Sequence, residues 1–194
     1  MTPEQLAANL NKVSQQIASD FPQWANVALG NTALAMLKQR VVNKGIASDG
    51  SSFKPYSTKP MLIGAKSFRT KAGANSAFSK KGLEWRTVGG HHLAILPGGY
   101  KELRQVEGSQ VDHKSFLRTG EMWLSIRTLG TSQAGQMRFI TTIGSQVALS
   151  NKKLEGNEDR EGKEILGITS QEEKQLTEIL DKYITNVVQR AFNG

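Results

Sequence analysis

Apolar residues recur with a helical period at both ends of the chain. Near the start, Leu6, Leu10, Val13 and Ile17 are spaced four, three and four residues apart and form a single stripe. Thr2 is placed to cap that helix, Pro3 suits its first position, and Gln5 completes a capping box. Asp20-Phe21-Pro22 is expected to end or bend the helix. A second helical stretch then runs from Gln23 to about Asn43, with Trp24, Val27, Leu34, Leu37 and Val41 close to one face. Gly30 weakens this helix by about 1 kcal/mol relative to Ala, and Lys44-Gly45 suits its C-terminal cap. Near the far end, Leu176, Ile179, Leu180, Tyr183, Ile184, Val187 and Val188 keep the same period. Ser170 with Glu173, or Thr169 with Glu172, provides a capping box at the start of that helix.

The period disappears between Gly45 and Gly90, where Gly, Ser, Lys and Thr dominate and apolar pieces such as Met61-Leu62-Ile63, Phe78 and Leu83 are scattered. Structureless stretches of this length are uncommon inside a compact domain. The segment therefore reads as an arm that becomes ordered against a partner. His92 to Leu96 reads as a short strand closed by Pro97-Gly98-Gly99, and Tyr100 to Val106 as one or two helical turns. Met122–Leu129 and Met137–Ile143 read as two strands joined by the polar turn Gly130–Gly135. Gln146 to Ser150 suits a third strand, followed by an acidic loop from Asn151 to Lys163. The expected fold is α+β, with N- and C-terminal helices packed on a small antiparallel sheet. Residues 1–44 and 91–194 form one structural domain, and 45–90 is an extended basic insertion.

Charge sharpens this division. The 194-residue chain carries a net +8. Lys38 to Arg86 holds eleven Lys/Arg against Asp49 and Glu84, a net of +9, whereas Glu155 to Asp181 holds nine Asp/Glu against Arg160, Lys163 and Lys174, a net of −6. The basic part can meet nucleic acid, the two parts can meet each other on neighbouring copies, or both can be solvated faces. The chain has no cysteine, which excludes disulfides and thiolate metal sites. It has no apolar run of the roughly 20 residues that a membrane span needs, and Met1-Thr2-Pro3-Glu4-Gln5 lacks a signal pattern. A soluble chain made in the cytoplasm is expected.

Candidate chemistry is sparse. His91-His92 is adjacent rather than spaced for two ligands on one helical face, and His113 stands apart. Phosphate-binding loops of the GxxxxGKS and GxGxxG kinds are missing, as is GxSxG. Glu155, Glu158, Asp159, Glu161 and Glu164 cluster without calcium-loop spacing. Lys66, Arg69, Lys71, Lys80, Lys81 and Arg86 interleave with Phe68, Phe78 and Trp85, but the aromatics are ten and seven residues apart, too sparse for a stacking platform. No enzyme, cofactor, metal or small-molecule substrate is expected.

Three segments carry a resemblance. Gly45 through Ser57, with Gly50, Phe53, Pro55 and Tyr56 in spacing, resembles an early segment of the phage virion-morphogenesis proteins, the tail-completion family of the head–tail neck. Leu117-Arg118-Thr119-Gly120-Glu121-Met122-Trp123-Leu124-Ser125-Ile126 is similar to that family's central segment. Arg160 through Ile165-Leu166-Gly167-Ile168-Thr169 is similar to its element before the terminal helix. Tyr100 through Gly108 resembles a further segment of some prophage versions. The resemblance implies a non-enzymatic virion protein that forms a ring of copies and meets neighbouring neck, connector or tail proteins. Non-specific contact with genomic DNA through residues 66–86 is the alternative role. Candidate interface residues are Phe53, Tyr56 and Trp85, the basic Lys66, Arg69, Lys71, Lys80 and Lys81, and the acidic Glu155, Glu158, Asp159 and Glu161. Phe53, Tyr56 and Trp123 suit a place in the core of one subunit equally well.

Overall fold

A computed structural model of the protein describes residues 1–64, 67–68, 85–135 and 138–193. The fold is α+β. Its spine is one long helical run. Helix α1 spans Pro3–Trp24, a π-helical turn covers Ala25–Gly30, α2 covers Asn31–Lys38, and a second π-helical turn covers Gln39–Asn43. The start is as the sequence predicts. Gln5 N–H donates to Thr2 Oγ1 (3.3 Å) and Thr2 N–H donates to Gln5 Oε1 (2.9 Å), closing the capping box. Gly45 caps the far end with φ of 65° and donates to Val41 O at 3.1 Å.

Pro22 does not end the run. The proline removes one helical hydrogen bond and crowds the preceding turn, at about 3 kcal/mol. Packing offsets that loss. Phe21 and Ala25 are buried, Trp24 stacks on Tyr183 with centroids 4.0 Å apart, and Phe21 lies 4.7 Å from the ring of Phe139. The wide turn that begins at Ala25 follows directly on the proline.

The terminal helix runs back antiparallel along this spine. It is Ser170–Asn193, the last of six α-helices in order of the described chain, and is called α6 here. Arg40 meets Glu172, Leu29 lies beside Leu176 and Leu180, and Trp24 meets Tyr183. Of the two candidate capping boxes, Thr169 with Glu172 forms: Glu172 N–H donates to Thr169 Oγ1 (3.1 Å) and Thr169 N–H to Glu172 Oε2 (2.8 Å). Val187 is buried with Ile17, Phe21 and Ala25, while Leu180, Tyr183 and Ile184 are partly buried around them. The spine overshoots α6 at its N-terminal end. Leu6 and Leu10 continue the buried stripe but are 43% and 54% exposed.

The described residues of the expected arm pack into the body, and residues 65–66 and 69–84 of it lie outside the described residues. Residues 45–64 belong to the body: Ala47, Phe53, Tyr56 and Ile63 are all buried. Phe53 N–H donates to Gly45 O (3.0 Å), and Ala47 N–H to Ser51 O (2.8 Å). These apolar residues escape a periodic reading because they sit in irregular backbone and each meets a remote partner. Strand β1 (Met61–Gly64) and β2 (Trp85–Val88) flank β3 (His91–Leu96) in an antiparallel sheet of order β1-β3-β2. Helix α3 (Gly99–Val106) closes that sheet, with Leu103 packed against Ile63, Phe68, Ala94 and Leu96.

Met122–Ser125 is not the start of a strand. It forms the short helix α4 (Glu121–Ser125), entered through Gly120 at φ of 81°. Adjacent Met122 and Trp123 are both buried while Leu124 is 84% exposed, a pattern one helical turn allows and a strand does not. Strands β4 (Arg127–Gly135) and β5 (Arg138–Gly144) form a longer hairpin than expected. The glycines expected in its turn lie at register shifts instead, between Thr128 and Gly130 and between Gln133 and Gly135. The hairpin lies on the spine at Gly30, where an added Cβ would come within 2.5 Å of Thr128 Cγ2. The weak helix former is thus the close-approach point. Gln146–Ser150 is not a strand, and the expected acidic loop is mostly helix. Residues Ala148–Glu161 form helix α5, stopped by Gly162 at φ of 65°. Its Lys, Glu, Arg and Leu residues are good helix formers, and its nearly all-polar surface conceals the period.

Two predictions follow from the spine. Arg40→Ala should lower stability by about 3–5 kcal/mol in urea unfolding, because it strands the buried Glu172 carboxylate. Adding Glu172→Ala should recover part of that loss. Along the apolar stripe, Val187→Asp should unfold the chain, since a buried carboxylate without a partner costs several kcal/mol. Leu6→Ser and Leu10→Ser, in contrast, should each change stability by about 0.5 kcal/mol or less.

Candidate functional site

The three segments that carry the resemblance converge. Ala47 and Phe53 from the first, Met122, Trp123 and Ile126 from the second, and Ile165 from the third share one buried cluster with Leu37 and Val41 of the spine. Hydrogen bonds join them as well. Ser48 N–H donates to Glu164 O (3.2 Å), and Lys163 Nζ donates to Ser52 O (2.6 Å). Phe53 meets Phe116 edge-on at 4.8 Å, and Trp123 Nε1–H donates to Ser115 O at 3.1 Å. Tyr56 Oη accepts from Ser115 N–H at 3.2 Å. Phe53 and Tyr56 are therefore core anchors within the subunit, at 6% exposure each.

The acidic candidates divide. Glu161 is 6% exposed and ties two segments to α5: Lys114 Nζ donates to its Oε1 (2.5 Å) and Lys54 N–H to its Oε2 (2.9 Å). Glu158 accepts from Ile165 N–H at 2.7 Å. Glu155 and Asp159 are exposed. Only these two of the four stand on the surface. Among the basic candidates, Lys66, Arg69, Lys71, Lys80 and Lys81 lie outside the described residues. Trp85 stands in β2 opposite Ala94 of β3.

A cavity of about 460 Å3 opens beside the converging segments. Tyr56, Tyr100, Phe116 and Met122 supply its apolar wall, and Arg104, Lys114, Arg118, Lys153 and Arg160 line it as cations. Lys114 pairs with Glu161, Arg118 with Glu107 (2.9 Å) and Lys153 with Glu121 (3.1 Å). The hydrogen bonds that Arg118 donates to Glu107 raise its pKa, and the bond that Lys153 donates to Glu121 lowers that of the carboxylate. Burial pushes the Tyr100 phenol up, against the charges of Arg118 and Arg104. Its partly buried hydroxyl stays protonated at neutral pH.

Arg104 was not among the sequence-derived candidates. It sits on α3 at 2% exposure, with its guanidinium carbon 5.1 Å from the centre of the Tyr56 ring. A lone arginine on an eight-residue helix gives no local sign of burial. The loop over residues 110–117 is what covers it, donating no side chain but accepting through the carbonyls of Gln110 and Leu117. Among the described residues, no group of three His, Asp or Glu side chains is placed to hold a metal ion. Compared with known protein families, curated proteins and solved structures, the chain matches none.

Proposed function

We propose that this chain is a structural subunit of a tailed-phage virion, completing or joining the tail at the head–tail neck as a ring of identical copies. The observation that carries the reading is the convergence of residues 45–57, 117–126 and 160–169. Each resembles the tail-completion family, and all three meet in one core although about 115 positions separate the first from the last. Most of the residues that carry the resemblance are packing and turn residues, as expected of a protein whose work is assembly. The projecting end of α1 supports an assembly role, since Leu6 and Leu10 give each copy an apolar helix end to set against the next.

A second reading is non-specific DNA contact by the basic stretch. The inward turn of Glu158 and Glu161 favours it, because fewer carboxylates are left on a neighbouring copy to neutralise the net +9 between Lys38 and Arg86.

Sedimentation and electron imaging of the purified protein, alone and with particles or neck proteins of its phage, test the first reading. Closed rings are expected. Leu6→Ser/Leu10→Ser should reduce them while the unfolding midpoint stays in place. A protein that remains monomeric under every condition and binds heterologous duplex DNA with steep salt dependence would replace the ring with the second reading. In rings that do form, Lys80→Glu/Lys81→Glu should leave assembly intact and weaken DNA binding, with the salt slope falling by about one per cation removed. Loss of rings, rescued by Glu155→Lys/Asp159→Lys, would instead put the basic segment between copies.

A further inference from the structure

Every cation lining the cavity beside α3 and α5 has its own carboxylate except two. Lys114, Arg118 and Lys153 pair with Glu161, Glu107 and Glu121. Arg104 and Arg160 have no ion pair among the described residues. Arg160 is exposed, but Arg104 is at 2% exposure. Its Nη1 donates to Leu117 O (2.5 Å) and its Nη2 to Gln110 O (3.3 Å), while its Nε is buried without a hydrogen-bond partner. Two carbonyl dipoles and a tyrosine ring compensate a buried guanidinium only in part. Among the described residues the carboxylates around the cavity are already paired, which leaves Arg104 open to an anion from outside.

The neighbouring surface indicates what carries that anion. The 117–120 turn separates this cavity from a second, apolar hollow of about 510 Å3, and Gly120 lines both. Val42, Leu117, Trp123 and Leu124 line the second hollow, and Leu124 is 84% exposed. We infer that the face across the 117–120 turn docks a polypeptide segment that places a carboxylate side chain at Arg104 and Arg160 and an apolar side chain against Leu124.

Charge argues for a carboxylate over a polyphosphate. Five cations and three carboxylates leave a net of +2 at the cavity, which suits a ligand of one or two negative charges better than a polyphosphate carrying several. One guanidinium matches one carboxylate in shape and charge. The mainly apolar surface of the second hollow accounts for the rest of a peptide and would go unused by a free ion. This inference does not depend on ring formation.

The test uses the full chain and a displayed library of short random peptides. Selection on the wild-type protein is paired with counter-selection on Arg160→Glu/Leu124→Asp. Both positions are exposed, and circular dichroism checks that the variant folds. Enriched peptides should carry Asp or Glu close to an apolar residue. Their affinity should fall at least about tenfold when that acid becomes Gln or Asn, and likewise with Arg160→Glu or Leu124→Asp alone. The Arg104 Nε–H resonance should move when peptide binds. Failure to enrich over the variant, enrichment without an acidic residue, or indifference to the acid-to-amide change would each overturn the inference. So would inorganic phosphate that moves the Arg104 resonance and displaces the peptide at lower concentration, because the ligand would then be a phosphoryl group.

Discussion

A guanidinium has five N–H donors in a rigid fork, and the one on Arg40 is 7% exposed. At that depth its donors need fixed acceptors, and three other parts of the chain supply them, two of them more than 120 positions away. Nη1 donates to Ile46 O (3.0 Å), Nη2 to Gly167 O (2.5 Å), and Nε to Glu172 Oε1 (2.9 Å). One side chain on the spine thus fixes the turn that leaves the spine, the loop that approaches α6, and the first turn of α6 itself. Glu172 serves twice, because its second oxygen caps its own helix through Thr169 N–H. This junction sets the register of α6 on the spine at one end of their contact, as Trp24 stacked on Tyr183 does farther along. The cluster built on Leu37, Val41, Ala47 and Ile165 lies on the same crossing.

The segments that resemble the tail-completion family follow from that junction. Two of them, 45–57 and 160–169, run through the acceptors of Arg40 at Ile46 and Gly167. The third, 117–126, fills the space between them with Trp123 and Ile126. Glu161 holds the arrangement from the side by taking Lys54 N–H and the Lys114 ammonium. The interaction face proposed across the 117–120 turn is therefore the outer surface of the same packing unit. A partner bound there would sense the core directly, since Leu117 O is both part of the turn and an acceptor for Arg104.

What could be read in the sequence was what neighbouring residues decide. The capping box of Thr2 and Gln5, the Gly45 cap, the strand read over residues 92–96 and the stripe of α6 each rest on residues within a few positions of one another. Helix α5 was missed because its stop signal, Gly162, stood inside what looked like a solvated acidic run. Ala47, Phe53 and Tyr56 were buried by residues about 60 to 120 positions away, so residues 45–64 looked like an exposed arm. Glu161 and Arg104 show the same limit for the site. One carboxylate in an acidic run and one arginine on a short helix look like surface charge until the fold surrounds them.

The two wide turns in the spine have a consequence for chain length. Each accommodates about one residue more than a regular turn, and one residue advances the helix by about 100°. The first of them, Ala25–Gly30, lies between the side of the spine that meets α6 at Ile17 and Phe21 and the side that meets the central cluster at Leu37, so these two sides are set in phase by a count of positions. Losing a single residue from Ala25–Gly30 could leave a perfectly good helix and still turn Phe21 away from Tyr183 and Phe139. Between Ile17 and Leu37, many side chains could be exchanged singly, but the number of residues could not.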